Sequence, residues 1–203
     1  MIKYIELNGK VPKHSLDIFS TTHEHYHDAA VLLNNSIVVV DFDERNEAIE
    51  KLFRLFPTLR VETSRGCHLY YQKPKILIKN WTGKLTVAGM TVDYKTGKKS
   101  TAVIKQKGKL RPMQNERFLR DLSALPMLPV YLYPMHLKQV LMGLTEGQGR
   151  NSALFTHLLT AKEMYELDDQ FIDELAHFID EFVFGETLGT ELIHVIESVN
   201  QTY

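Results

Sequence analysis

The sequence predicts an α+β fold, in which a strand-rich region is followed by a helical one. Up to Pro112, short apolar runs are separated by turn residues such as Asn and Gly, which is typical of antiparallel strands with short connections. From Asn151 onward, apolar residues recur every three or four positions, as they do on the buried face of a helix. Between the two regions, the chain is punctuated by Pro126, Pro129 and Pro134.

The first three predicted elements are strands, and a turn joins the second to the third. Ile2–Leu7 is the first predicted strand. The apolar runs Asp28–Leu33 and Ser36–Asp43 flank the dipeptide Asn34-Asn35, which is typical of a tight turn. We therefore expect these two runs to form a hairpin.

A helix and a second hairpin come next. Asn46–Phe56 has apolar residues at helical spacing, with Asn46 as its N-cap and Pro57 at its end. Leu59–Ser64 and Cys67–Gln72 are predicted to pair through the turn between them. Further strands are predicted at Ile76–Ile78, Thr86–Lys95 and Ser100–Lys107.

The domain limits follow from this change of pattern. We expect a strand-rich domain over residues 1–125, a linker over 126–146 and a small helical domain over 147–203. A helix is predicted over Glu116–Leu125, at the end of the first domain. The helices of the second domain are predicted at Asn151–Met164, Asp168–Phe184 and Thr190–Val199.

The net charge of −1 conceals opposite charges in the two regions. Thr58–Arg111 holds 13 Lys and Arg but two Asp and Glu, a local net charge of +11. Glu146–Tyr203 holds two basic and 12 acidic residues, a local net charge of −10. A basic block of this size attracts polyanions such as nucleic acid or nucleotide phosphates. Alternatively, the two regions are solvated surfaces of opposite sign that pack on each other.

Composition excludes several classes of protein. No unbroken apolar run approaches the ~18 residues that a membrane-spanning helix needs. The first ten residues lack the apolar core of a secretory signal peptide. The single cysteine, Cys67, excludes a disulfide within the chain and a Cys-rich zinc site. We therefore expect a cytoplasmic protein that has no membrane partner and no zinc.

Asp41 and Asp43 end an apolar run in the pattern Asp-x-Asp. Residues two apart in a strand point to one face, so the two carboxylates project together. Their repulsion favours a cation between them, and Mg²⁺ or Mn²⁺ accepts carboxylate and phosphate oxygens. The same short pattern also occurs in aspartate-nucleophile phosphatases, in sugar-nucleotide transferases and as a solvated strand end.

The predicted second hairpin carries candidate phosphate ligands. Its turn contains Gly66, which offers backbone N–H groups and close approach to a phosphate. Ser64 and Arg65 add side-chain donors, and His68 opens the return strand. On a later strand, Asp93 and Lys95 share one face, which suits a third metal ligand beside a cation that faces a triphosphate.

Two features of the basic block have alternative interpretations. Lys105, Lys107, Lys109 and Arg111 alternate with other residues, so an extended strand carries them on one face. Such a stripe either follows the backbone of a template strand or protects a sheet edge from pairing. Trp81 either stacks on a nucleobase or packs in the fold.

In this order, the motifs resemble those of the primase–polymerase domain of the archaeo-eukaryotic primase superfamily, in its phage and plasmid form. The matching residues are Asp41-x-Asp43, Thr63-Ser64-x-Gly66-x-His68 and Val92-Asp93-x-Lys95. The segment Glu146–Phe155, which includes Arg150-Asn151, is similar to the start of the small helical domain that follows such primases. The resemblance covers most of the chain.

The resemblance implies an RRM-like antiparallel-sheet catalytic domain with a C-terminal helical bundle. It implies a DNA primase–polymerase that synthesises or extends primers on single-stranded DNA by two-metal nucleotidyl transfer. The catalytic ligands of two Mg²⁺ or Mn²⁺ ions would be Asp41, Asp43 and Asp93. The dNTP or NTP would be bound by Ser64, Arg65, Gly66, His68 and Lys95. Template and primer would be bound by Lys105, Lys107, Lys109, Arg111, Arg150 and Asn151.

Some residues depart from the family pattern. Gly66 stands where the superfamily has a small, often hydroxyl residue, and Lys95 stands where many relatives have an arginine. The chain also lacks the phosphate-binding loop of a helicase. We therefore expect either a stand-alone protein or the front part of a longer one, with a replicative helicase as partner in trans or as a C-terminal part. The expected setting is a bacterial or archaeal cell, with the protein encoded by the host, a phage or a plasmid.

Two other functions stay open. A primase-like fold can serve as a non-catalytic module that binds single-stranded DNA or a replication origin, and its binding would survive the loss of Asp41 and Asp43. A metal-dependent phosphatase or phosphotransferase would hydrolyse nucleotides without a template. Arg45 disfavours the phosphatase, because such enzymes usually carry Thr or Val at that position.

Overall fold

Antiparallel pairing of short strands produces two sheets in the N-terminal part of the chain. The computed structural model describes residues 2–76 and 78–202, and within these ranges the protein is α+β with two antiparallel sheets and four α-helices. The predicted α+β class is confirmed. The chain divides into two compact units. One unit contains Met1–Thr82 and Val92–Leu128, and the other contains Gly83–Thr91 and Pro129–Tyr203.

Eleven strands in the described ranges form the two sheets, and the chain enters each sheet twice. They are β1 (Tyr4–Asn8), β2 (Val11–Pro12), β3 (Ala29–Leu32), β4 (Ile37–Phe42), β5 (Leu59–Glu62), β6 (Cys67–Gln72), β7 (Trp81–Leu85), β8 (Thr91–Thr96), β9 (Thr101–Gln106), β10 (Lys109–Leu110) and β11 (Met113–Gln114). Sheet A has the order β10-β9-β3-β1-β2, and sheet B has the order β11-β5-β6-β4-β8-β7.

Sheet B is covered on both faces. Val39 and Tyr70 lie on the face that packs against sheet A, in one core cluster with Val31 of β3. The opposite face carries α1 (Glu47–Leu55), whose Glu50 pairs with Arg60 of β5 at 2.6 Å. As predicted, α1 begins at the N-cap Asn46, whose side chain accepts a hydrogen bond from a backbone N–H in the first turn.

The predicted hairpin at Asn34-Asn35 is wrong. β3 pairs with β1 and β9 in sheet A, whereas β4 pairs with β6 and β8 in sheet B. The turn therefore carries the chain from one sheet to the other. The carbonyl of Asn34 accepts hydrogen bonds from Ile37 and Gly97, and these bonds hold the crossing segment. Both runs are buried, so their apolar pattern does not specify a pairing partner.

Two other predicted elements also differ from the structure. The predicted strand Thr86–Lys95 is interrupted by a turn over residues 86–90, in which Gly89 adopts a φ of 81°. Glu116–Leu125 is not an α-helix but two 3₁₀ turns, Glu116–Leu119 and Leu122–Ala124. The predicted strand Ile76–Ile78 spans Leu77, which lies outside the described residues.

The C-terminal unit contains three α-helices close to the predicted limits. They are α2 (Arg150–Tyr165), α3 (Asp169–Phe182) and α4 (Glu191–Asn200). Asp168 caps α3 by accepting a hydrogen bond from a backbone N–H of the first turn. The division between the units after Leu128 falls inside the segment predicted as a linker. None of the helices in the described ranges combines the length and apolar character required to cross a membrane.

Candidate active site

Three polar residues from three neighbouring strands form a row on one face of sheet B. Asp41 of β4 lies opposite His68 of β6 and also opposite Asp93 of β8. Directly opposed residues of antiparallel strands project to the same face, so the three side chains are neighbours. The sequence separates these residues by as many as 52 positions, and the register of the sheet brings them together.

Asp41 is the centre of the row. Its Oδ2 atom accepts a hydrogen bond from Lys95 Nζ at 2.5 Å and lies 3.3 Å from His68 Nε2. Burial by itself raises the pKa of Asp41, but the hydrogen bonds from His68 and Lys95, together with the positive charges that these residues carry in acid, outweigh burial and lower it to about 2. Asp41 is therefore a carboxylate at neutral pH.

His68 is a neutral donor in this arrangement. Its side chain is buried, and burial lowers its pKa despite the neighbouring carboxylate of Asp41. Because a carboxylate only accepts hydrogen bonds, Nε2 of His68 carries the proton that points to Asp41. Within the described ranges, no hydrogen-bond partner reaches the buried atoms His68 Nδ1 and Tyr70 Oη.

Arg111 reaches the same face from the chain segment that follows β10. The charge of Asp41 and the hydroxyl of Tyr70 both act on its guanidinium, whose pKa is lowered chiefly by burial. The guanidinium donates hydrogen bonds to the Val103 carbonyl and to Gln106 Oε1, both at 3.3 Å. Sequence reasoning missed Tyr70 and assigned Arg111 only to a surface stripe. The spacing His68-x-Tyr70 was the available signal, since residues two apart share a strand face.

Asp43 has a different environment from Asp41. It lies on the bend after β4, its side chain is 70% exposed, and its Oδ1 accepts a hydrogen bond from Arg65 Nη2 at 2.9 Å. The structure thus brings Asp41 and Asp93 into one row and pairs Asp43 with the hairpin turn. Among the described residues, no group of three or more His, Cys, Asp or Glu is placed to hold a metal ion.

Gly66 holds the β5–β6 turn against the end of β4. Its backbone N–H donates to Thr63 Oγ1 at 2.9 Å, and its carbonyl accepts from the Thr63 N–H. A Cβ atom at this position would lie 2.0 Å from the carbonyl oxygen of Phe42, so only glycine fits. This contact accounts for the glycine at position 66. Ser64, next in the turn, is exposed.

The four basic residues predicted as one stripe do not share an extended strand. β9 and β10 form a hairpin, and Lys107 lies in its turn with a φ of 52°. Lys105 Nζ donates to the Glu24 carbonyl at 2.9 Å, and Lys109 is exposed on the short return strand. The stripe prediction is wrong in its geometry because the turn reverses the chain after Gln106.

Arg150 and Asn151 begin α2 in the C-terminal unit. Arg150 Nη1 donates to the carbonyls of Glu186 at 2.5 Å and Thr187 at 2.9 Å. Asn151 Nδ2 donates to Glu191 Oε2 at 2.7 Å. Both side chains thus brace the loop and helix that follow α3.

The chemistry of the row suits an oxyanion-bearing ligand together with a cation. The facing carboxylates Asp41 and Asp93 are the oxygen donors that hard divalent cations prefer. Asp41 already forms an ion pair with the ammonium group of Lys95, so its carboxylate has a positive partner in the folded chain. No protein-family model matches the chain, and comparisons with curated proteins and with solved structures find no match.

Proposed function

We propose that this protein is a nucleotidyltransferase of the primase–polymerase type, which synthesises or extends primers on single-stranded DNA. The supporting observation is the row of His68, Asp41 and Asp93, with Lys95 bonded to its central member. These residues come from three motifs of the sequence, and the register of sheet B makes them neighbours on one face. The net charge of +11 over residues 58–111 favours a polyanionic template and substrate.

The carboxylates are the proposed ligands of Mg²⁺ or Mn²⁺. Asp41 and Asp93 would hold the cation, with Asp43 as a further ligand after its carboxylate leaves Arg65. When bound, the divalent cation supplies positive charge to the triphosphate and to the attacking 3′ hydroxyl oxygen.

The neighbouring basic residues bind and orient the phosphates in this proposal. Lys95 neutralises Asp41 in the free protein. When a triphosphate binds, the Lys95 ammonium would exchange this partner for a phosphate oxygen. His68 is neutral and its single N–H points to Asp41 in the free protein; once a cation takes up Asp41, that N–H would be available to a phosphate oxygen without proton uptake. Arg65, which is exposed in the turn beside Gly66 and pairs with Asp43, would supply a further positive charge to phosphate oxygens.

The test is incorporation of labelled dNTPs or rNTPs on primed and unprimed single-stranded DNA with Mg²⁺ or Mn²⁺. We expect product that Asp41→Asn and Asp93→Asn each reduce by at least a hundredfold. Asp173→Asn, an exposed carboxylate on α3, is the matched control and keeps full activity. Equal product from Asp41→Asn and wild type, or no product under any condition, overturns the proposal. Nucleotide hydrolysis without a template would identify a phosphatase instead.

A non-catalytic module that binds single-stranded DNA is the second candidate. The ion pairs Asp41–Lys95 and Asp43–Arg65 favour it, because both carboxylates are already neutralised in the folded chain. This candidate predicts salt-dependent DNA binding that Asp41→Asn and Asp93→Asn leave unchanged, with no incorporation by the wild type.

A further inference from the structure

A cavity of about 300 Å³ lies beside the row of site residues. Its lining includes Asn80, Trp81, Thr82, Asp93, Lys95 and Thr101. We propose that Trp81 is the stacking platform for the base of a nucleoside triphosphate that occupies this cavity. The inference rests on the proposed function, and it adds a substrate-binding residue outside the motifs that suggested that function.

The wall that carries Trp81 is rigidly built. Asn80 Oδ1 accepts a hydrogen bond from the Thr96 N–H at 2.7 Å, and Asn80 Nδ2 donates to Ser100 Oγ at 2.8 Å. Ser100 Oγ in turn donates to the Thr96 carbonyl at 2.6 Å. These bonds fix the side chain of Asn80, the residue immediately before Trp81, to the end of β8 and to Ser100. The indole is therefore attached to an ordered segment.

The ring of Trp81 is also held by its neighbours. It makes an edge contact with the buried ring of Tyr94, with centroids 6.3 Å apart and an interplanar angle of 77°. Lys79 Nζ lies 5.7 Å from the indole centroid. The half-buried indole lines the cavity in a set orientation, so stacking costs little side-chain entropy. Aromatic rings stack on bases of any sequence because every base has a π-face.

The polar lining indicates a mononucleotide. Asp93 and Lys95 line the cavity and also adjoin Asp41, so one ligand spans the cavity and the row. Its base would lie on Trp81, and its phosphates would lie toward Lys95. A cavity of about 300 Å³ accommodates one base with its sugar, whereas several stacked nucleotides need more room.

Intrinsic fluorescence tests this directly, because Trp81 is the sole tryptophan of the chain. The wild-type protein is titrated with dATP and Mg²⁺ in the absence of DNA. We expect saturable quenching of the tryptophan emission. Inorganic tripolyphosphate, which lacks a base, should displace dATP without causing the quenching itself.

Variants separate stacking from packing, with Kd for dATP measured by calorimetry. Trp81→Leu should raise Kd about tenfold or more, since stacking on one base contributes ~1–3 kcal/mol. Trp81→Phe keeps an aromatic face and should stay within about threefold of wild type. Phe19→Leu, at a partly exposed aromatic residue elsewhere in the same unit, is the control and should leave Kd unchanged. Circular dichroism checks that each variant is folded.

Failure of the inference is distinguishable from failure of the proposed function. Quenching by dATP with a raised Kd in Trp81→Leu, but no incorporation on DNA, supports the base platform and overturns the transferase. Incorporation by wild type with the same KM in Trp81→Leu supports the transferase and overturns the platform. Three other results also overturn the platform. They are no quenching by dATP, equal quenching by tripolyphosphate, and stronger quenching by oligo(dT) than by dATP.

Discussion

Lys95 Nζ lies 2.5 Å from Asp41 Oδ2, so a lysine from the neighbouring strand neutralises the central carboxylate of the site. The two residues are on β8 and β4, and their ion pair links these strands in addition to the backbone ladder. If Asp41 holds a divalent cation as proposed, the cation and the lysine would compete for the same oxygen, and breaking the ion pair would weaken the binding of the metal.

Removal of the competing lysine gives the first prediction. Lys95→Met should strengthen Mn²⁺ binding to the DNA-free protein by about three- to tenfold, because Asp41 loses its positive partner. The same variant should reduce nucleotide incorporation, because a phosphate ligand is lost. Calorimetric titration with Mn²⁺ checks the first effect, with Lys98→Met as the charge-matched control. Weaker or unchanged Mn²⁺ binding would contradict competition at Asp41.

The second prediction concerns the tight contact at Gly66. Gly66→Ala should lower the free energy of unfolding by about 2–4 kcal/mol, because its Cβ would lie 2.0 Å from the Phe42 carbonyl oxygen. Gly83→Ala is the comparison: its Cβ meets open space, although a φ of 59° still costs about 1 kcal/mol. Urea unfolding measures both values. Equal losses in the two variants would show that the contact with Phe42 relaxes.

The third prediction is a loss of stability in acid that arises from His157. Its buried ring has Nε2 2.8 Å from the Val87 carbonyl, and burial lowers its pKa to about 4. The unfolded chain, with a histidine pKa near 6.5, therefore binds more protons than the folded one between those values. Stability should fall as the pH drops from about 6.5 to 4, by on the order of 3 kcal/mol.

His157→Gln checks the source of this acid sensitivity. Urea unfolding of this variant at pH 7 and pH 4.5 should show a smaller difference than wild type shows. His68 also has a lowered pKa, so part of the pH dependence should remain. His177→Gln, at an exposed residue of α3, should keep the wild-type difference. If His157→Gln keeps it too, His157 is not the group responsible.

The fourth prediction tests the attachment of α1 to sheet B. The buried Arg60 pairs with Glu50 of α1 at 2.6 Å and with Glu62 of β5 at 2.6 Å. Arg60→Leu should cost about 3 kcal/mol, because it leaves the partly buried Glu62 without this charge partner. Chemical denaturation provides the measurement, and Arg54→Leu at the end of α1 should cost less than about 1 kcal/mol. If Arg60→Leu also costs less than about 1 kcal/mol, the ion pairs of Arg60 do not hold α1 on sheet B.

Local patterns in the sequence determined the elements that depend on neighbours in the chain. The N-cap Asn46 and the apolar spacing after it predicted α1, and similar spacing predicted the three C-terminal helices. The β5–β6 hairpin was also predictable, because its turn contains Gly66. Three short motifs, which contain Asp41, His68 and Asp93, suggested these residues as candidates. Helix caps and tight turns act within a few residues, so their signals are present in short stretches of sequence.

Apart from the β5–β6 hairpin, only the tertiary structure decided which strands pair and which side chains meet. β3 and β4 lie in different sheets although a short turn joins them, because each is buried and finds its partners far along the chain. The same long-range register put Asp93 opposite Asp41, paired Asp43 with Arg65 and brought Arg111 toward Tyr70. Strand pairing depends on packing between distant segments, and such packing leaves no local signal when both faces of a strand are apolar.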